Sequence, residues 1–193
     1  MKSICVYLGA NEGNNVAFSS SVTKLAHHIV DYKLTLVYGG SSLGMMGLLA
    51  KTVKKSGGRA IGVITRYLLD KEKPLDILDE LHIVETMQDR KKMLQELSDV
   101  FIVMPGGLGT LEEAVETWNA IKIGELDKKI GFLNVDNYFE KLFTFIQHCQ
   151  ESGLMDIKQA TIPLVHSDSS KLLNKLLHHQ QNLVQSNMEE IHN

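Results

Sequence analysis

Val100-Phe101-Ile102-Val103-Met104-Pro105-Gly106-Gly107-Leu108-Gly109-Thr110-Leu111-Glu112-Glu113 decides how this chain is read. Val100 to Met104 is a short unbroken apolar run, the pattern of a parallel strand covered on both faces. Pro105 ends it. Gly106, Gly107 and Gly109 lack a Cβ, so the backbone can turn tightly and approach a ligand closely. Thr110 then opens a helix that carries Glu113 and Trp118 and runs to about Gly124. Unpaired N–H groups and the positive end of the helix dipole meet at such a turn, which suits an anion, above all a phosphate.

The turn lacks the Lys-Ser/Thr pair of a Walker loop, and its glycine spacing differs from the dinucleotide fingerprint. It adds acid instead. Glu112 and Glu113 are placed in the first helical turn, where the dipole favours carboxylates. Two readings stand side by side: both are simple helix-start acids, or one faces a bound phosphate ester and does chemistry.

Working outward, Ser3–Leu8, Leu34–Tyr38, Ala60–Ile64, Leu81–Glu85, Lys129–Val135 and Thr161–Val165 read as further strands. Helices are expected over Val16–Asp31, from the Gly39–Gly47 turn to about Ser56, and over Met87–Leu97, Tyr138–Glu151 and Ser169–His179. Thr65–Leu78 reads as a longer connection containing Glu72 and Pro74. Strands alternating with helices from end to end predict an α/β fold: a Rossmann-like, doubly wound, mostly parallel sheet with helices on both faces. Ligands in such sheets bind beyond the carboxyl ends of the strands at the switch in strand order. The turns at Gly9, Gly39-Gly40 and Gly106 all lie on that edge. The glycine-rich turn Gly39–Gly47, with Gly44 inside it, is a weak signal alone, because glycines also serve close helix–sheet packing. Met45 and Met46 read as packing residues.

With 193 residues, 44% of them hydrophobic and 22% charged, the chain suits a single domain over 1–180, followed by a polar tail over 181–193 expected to fray. A formal charge of −3 gives no global pull toward nucleic acid or anionic membranes. No run of about 18 apolar residues is present, so no membrane span is expected. The N-terminus leads into a strand without a signal peptide, and two cysteines suggest buried thiols in a reducing cytoplasm. Adjacent His27 and His28 do not share a helix face, so no metal site is expected there. Arg90, Lys91 and Lys92 read on their own as a solvated basic face.

Pro105–Glu113 also matches the PGGxGTxxE motif, and with it the chain resembles the LOG ("lonely guy") family of nucleoside 5′-monophosphate phosphoribohydrolases. These release cytokinin bases from their ribotides and have often been labelled lysine decarboxylases. The resemblance runs from Ile4 to about Leu177. It extends through Val37-Tyr38-Gly39-Gly40, Gly44-Met45-Met46-Gly47, Ile61-Gly62-Val63-Ile64, Met87-Gln88-Asp89-Arg90-Lys91 and Gly131–Tyr138. It implies an enzyme that splits the N-glycosidic bond of AMP or an N6-substituted relative, with no cofactor. Glu113 would be the catalytic carboxylate and Arg90 the clamp beside it, its planar fork holding pairs of oxygens. Substrate and phosphate contacts are implied for Gly106, Gly107, Leu108, Gly109, Thr110, Leu111, Glu112, Lys91, Met87, Glu72, Gly9, Asn11, Gly39, Gly40 and Gly44. Many members carry a CGSS-like sequence where this chain has Leu8-Gly9-Ala10-Asn11; Gly9 keeps the turn and Asn11 becomes the side-chain donor. The resemblance further implies a homodimer, with Trp118 and its helix as candidate contacts. The alternatives are a non-hydrolytic nucleotide-binding or carrier protein on the same fold, a pyridoxal-dependent decarboxylase, and a structural dimerisation module that keeps a nucleotide site.

Overall fold

The computed structural model describes residues 2–178. The expected tail, and His179 at the end of the expected last helix, lie outside the described residues. Seven strands form one sheet: β1 (Ser3–Tyr7), β2 (Thr35–Tyr38), β3 (Arg59–Thr65), β4 (Glu80–Val84), β5 (Val100–Val103), β6 (Lys129–Leu133) and β7 (Leu164–His166). Their order is β4-β3-β2-β1-β5-β6-β7, and every pairing among them is parallel. The chain winds outward from β1 in one direction, then returns to β5 and winds outward in the other. The switch point therefore falls between β1 and β5, whose register pairs Cys5 with Phe101 and Tyr7 with Val103.

The helices are α1 (Val16–Asp31), α2 (Gly44–Lys55), α3 (Arg66–Glu72), α4 (Met87–Glu96), α5 (Leu108–Lys122), α6 (Glu140–Glu151), α7 (Ile157–Ala160) and α8 (Ser169–His178). The central strands are apolar on both faces, as a sheet sandwiched between two helical layers requires. Leu25 and Ile29 of α1, Leu49 of α2 and Leu172 and Leu176 of α8 pack on one face. Leu94 of α4, Ala114 and Trp118 of α5 and Phe139 ahead of α6 pack on the other.

Several expectations need correction. The connection over 65–78 contains α3, capped by Thr65, whose side chain accepts from the Leu68 N–H. Its half-exposed residues gave no apolar period to read. The last strand is Leu164–His166, because residues 157–160 form α7, a single turn held by an Asp156–Gln159 capping box. A 3₁₀ turn over Val135–Asn137 precedes α6, which starts at Glu140. Helix α5 starts at Leu108, two residues before Thr110. Glu112 and Glu113 consequently lie beyond its first turn, and the helix-start explanation for them falls away. No helix among the described residues is long and apolar enough to cross a membrane.

Candidate active site at the switch point

The β1–α1 and β5–α5 loops meet where the strand order reverses, joined by a hydrogen bond from the Gly9 N–H to the Pro105 carbonyl (3.3 Å). Between them and α2, α3 and α4 opens a cavity of about 490 Å³. Its lining includes Gly9, Asn11, Glu72, Met87, Arg90, Gly106, Gly107, Gly109, Thr110 and Glu113, so ten of the sequence-derived candidates come together there.

The phosphate-type turn is tight because Gly106 packs directly on Thr110; a Cβ on Gly106 would collide with the Thr110 hydroxyl. Gly107 is the N-cap of α5 and has no side chain with which to cap it. Among the described residues the N–H groups of Gly107, Leu108, Gly109 and Thr110 find no acceptor; the first helical bond is Leu111 N–H to Gly107 C=O (3.1 Å). That leaves a cluster of free donors at the positive end of a 15-residue helix.

Glu113 lies one turn further on and is only 7% exposed. Burial pushes its carboxyl up to about 7; the Arg90 charge opposes the rise, Glu112 adds to it and Lys91 opposes it. Arg90 comes from α4, whose start is fixed by a reciprocal cap between Thr86 and Asp89. Its guanidinium is buried and held by two strand-end carbonyls: Nε donates to Val63 (3.0 Å) and Nη2 to Gly39 (2.8 Å). The arginine thus sits as a fixed cation at the cavity, with no carboxylate among the described residues bonded to it. Glu72, at the end of α3, also lines the cavity, and its buried Oε2 has no hydrogen-bond partner among the described residues. A buried acceptor without a donor is costly unless a ligand group supplies one.

The solvated reading of Arg90-Lys91-Lys92 holds for Lys92 alone, since Arg90 and Lys91 are buried. Lys91 lies outside the cavity lining. It donates to Glu112 (2.8 Å) and to Glu116, and this pairing holds its ammonium above the ordinary lysine range. Lys91 and Glu112 therefore tie α4 to α5. Gly39 and Gly40 lie behind the cavity wall: Gly39 leaves room for the Arg90 guanidinium, and Gly40, at φ 78°, packs on Ile64. Gly44 presses on the Ala10 backbone, which joins the first two ligand-edge loops. The Leu108 side chain is 87% exposed and Leu111 packs into the core beside α5, so at these two positions only the backbone bears on the turn. Sequence reasoning missed Phe18, Asn14 and Tyr138 in the lining, and it assigned Met45 and Met46 to packing alone, whereas both also face the cavity. Tyr138 closed one of the resemblance motifs and was the available signal. Trp118 is buried, with its indole N–H bonded to the Gln159 carbonyl (2.9 Å), so it is no surface contact. Among the described residues no group of three or more His, Cys, Asp or Glu side chains is arranged to hold a metal.

Fold and cavity together define a Rossmann-like α/β protein with a glycine turn of free amides, a buried acid and an arginine held by backbone carbonyls at the switch point. A family model described as "Possible lysine decarboxylase" matches residues 46–176. The chain is 39% identical over 175 residues to the cytokinin riboside 5′-monophosphate phosphoribohydrolase LOG5 of Arabidopsis thaliana, covering 91% of this chain and 77% of that one. It is 36% identical over 175 residues to LOG1 of the same plant, covering 91% and 82%. The chain belongs to the LOG family. Among solved structures, the molybdenum cofactor carrier protein of Chlamydomonas reinhardtii superposes with a TM-score of 0.65 at 23% identity, covering 92% of this chain and 99% of that one. The molybdenum cofactor binding protein of Rippkaea orientalis gives 0.65 at 20%, covering 97% and 98%. At that identity the two structures show the shared fold alone.

Proposed function

We propose that this protein hydrolyses the N-glycosidic bond of a purine nucleoside 5′-monophosphate, AMP or an N6-substituted relative, to the free base and ribose 5-phosphate. The observation that carries the reading is the convergence of Glu113, Arg90 and the free amides of the Pro105–Thr110 turn on one cavity. In this reading the amides hold the 5′-phosphate. The bond from C1′ to the base nitrogen breaks with its electron pair leaving on the base, and positive charge builds on the ribose. The Glu113 carboxylate stabilises that charge and activates the attacking water, which delivers hydroxyl to C1′ and, overall, a proton to the base. Arg90 positions the substrate, and Glu72 accepts from a hydroxyl or amine of the nucleoside.

The test is incubation with AMP and, separately, N6-isopentenyl AMP, with chromatography of the free base. Wild-type release that falls by about 10²-fold or more in Glu113→Gln supports the reading; undiminished release in that variant removes Glu113 from it. Nucleotide bound but never cleaved by the wild type would favour a binding or carrier protein. A Schiff-base decarboxylase does not fit the residues present: among the described residues no lysine lines the cavity, and Lys91 is engaged by two carboxylates.

The same reading includes a homodimer. Leu108 and Val115 of α5 and Ile123 at its C-cap are exposed apolar residues at helical spacing, and Phe145 of α6 and Ile157 of α7 are exposed as well. Light scattering at micromolar concentration reads the mass directly, and a monomer there refutes the dimer. A cytoplasmic setting, with a small-molecule substrate and neither nucleic acid nor membrane as partner, completes the reading; the two free cysteines, Cys5 and Cys149, accord with a reducing compartment.

A further inference from the structure

Tyr138 stands beside the glycine turn on a backbone that is not free to move. The preceding residues Asp136 and Asn137 adopt φ of 50° and 56°, a left-handed turn that Asp and Asn accept more readily than other non-glycine residues. Here the Asn15 amide donates to Asp136 (2.7 Å), and the Asn134 side chain accepts from the Phe139 N–H (2.8 Å). The Tyr138 ring is set edge-on between Phe18, at 5.4 Å, and Phe139, at 5.0 Å. From this seat its hydroxyl donates to the Gly106 carbonyl at 2.7 Å.

That carbonyl belongs to the Gly106–Gly107 peptide. In a planar trans peptide the C=O and the following N–H point in opposite directions. Holding the Gly106 oxygen on one side therefore aims the Gly107 N–H at the other. A Gly-Gly peptide is the least hindered of all against rotation as a unit, because neither flanking residue has a Cβ. A flip would turn the Gly106 oxygen toward an incoming anion and remove one of its donors.

We propose that Tyr138 is a positioning residue for phosphate recognition: its hydroxyl locks the Gly106–Gly107 peptide so that the turn presents N–H rather than C=O to the 5′-phosphate. This rests on the phosphoribohydrolase reading only for where the phosphate sits. The lock acts on the phosphate end and not on the glycosidic bond, so it selects 5′-monophosphates over unphosphorylated nucleosides.

The experiment compares wild type with Tyr138→Phe, which keeps the ring and removes the hydroxyl. Ribose 5-phosphate and adenosine are titrated by calorimetry, and AMP turnover and the melting temperature are measured alongside. The expected result is a three- to tenfold weaker affinity for ribose 5-phosphate, roughly one hydrogen bond. The KM for AMP should rise by the same factor, with kcat held within about twofold, adenosine affinity unchanged and the melting temperature lowered by no more than about 4 °C. Equal ribose 5-phosphate affinity in the two proteins overturns the proposal. So does an equal loss for adenosine, which would make Tyr138 a plain wall of the cavity, and so does a wild type that does not bind ribose 5-phosphate. A wild type that leaves AMP intact, yet binds ribose 5-phosphate through Tyr138, removes the hydrolase reading and leaves this one standing. Active wild type with an unchanged KM in Tyr138→Phe does the reverse.

Discussion

Replacing Gly39 with alanine should disable the site from behind the cavity wall, by displacing Arg90. Gly39 is not in the left-handed region, so alanine carries no backbone penalty there. The cost is steric. A Cβ at Gly39 would fall inside the contact distance of Arg90 Nη2, 3.3 Å from Arg90 Cζ and 3.2 Å from the Met46 sulfur. The flexible side of this clash is the guanidinium, which must leave its place and give up the 2.8 Å bond from Nη2 to the Gly39 carbonyl. A hydrogen bond to a charged group contributes about 1.5–3 kcal/mol. If that loss is felt by the bound transition state, kcat/KM for AMP falls by about ten- to 150-fold. Overpacking of this kind also lowers stability by about 1–3 kcal/mol, so the assay pairs initial rates of base release with thermal unfolding at the assay pH. A folded Gly39→Ala protein with kcat/KM within twofold of wild type would refute the argument that strand-end carbonyls fix Arg90 for function.

Four more predictions follow from the same geometry. Burial pushes the Glu113 carboxyl up to about 7, so if the proposed reaction needs it as a carboxylate, kcat/KM should rise with pH through an ascending limb near that value; a flat profile between pH 5.5 and 8 would count against it. The same shift has a stability sign. The folded state holds this proton between the ordinary 4.5 and about 7, so wild type loses stability relative to Glu113→Gln as pH rises through that window. The gap should approach about 3 kcal/mol above neutrality and close below pH 4.5, as read by denaturant unfolding across pH. Lys91→Gln removes the cation paired with Glu112 and Glu116 and lifts an opposing charge from Glu113, so the activity limb should move to higher pH; an unmoved limb would confine Lys91 to tying the helices together. Gly109→Ala meets nothing within 4 Å in the free protein, so folding should be unharmed or improved by up to about 1 kcal/mol, while ribose 5-phosphate binding weakens if the glycine is there to admit the phosphate.

Much of this fold was legible in the sequence because its signals are local. Val100–Val103 is apolar without interruption since β5 is covered on both faces, and Pro105 with the glycines marks its end. The two strands at the switch point, their loops and the pairing of Glu113 with Arg90 around one cavity followed from that pattern and the family resemblance. What escaped depends on long-range packing. Helix α3 is half-exposed and shows no apolar stripe, yet it carries Glu72 to the cavity and gives its carbonyl to Ser42. The basic run at 90–92 looks solvated until the Gly39 and Val63 carbonyls and the two glutamates of α5 are seen around it. Gly39, Gly40 and Gly44 read as ligand contacts because a glycine that admits a neighbouring side chain and one that admits a ligand look alike in sequence. Tyr138 follows a turn with two left-handed residues, Asp136 and Asn137; their residue types permit that conformation, but nothing local says that it brings the Tyr138 hydroxyl to the Gly106 carbonyl.

The most direct test of the central claim is the product stoichiometry from AMP. Purified protein should release adenine and ribose 5-phosphate in equal amounts, with no adenosine and no inorganic phosphate, and Glu113→Gln should release neither. Adenosine with phosphate would mean attack at phosphorus and a different enzyme; intact AMP retained by the protein would mean a binding site without hydrolysis.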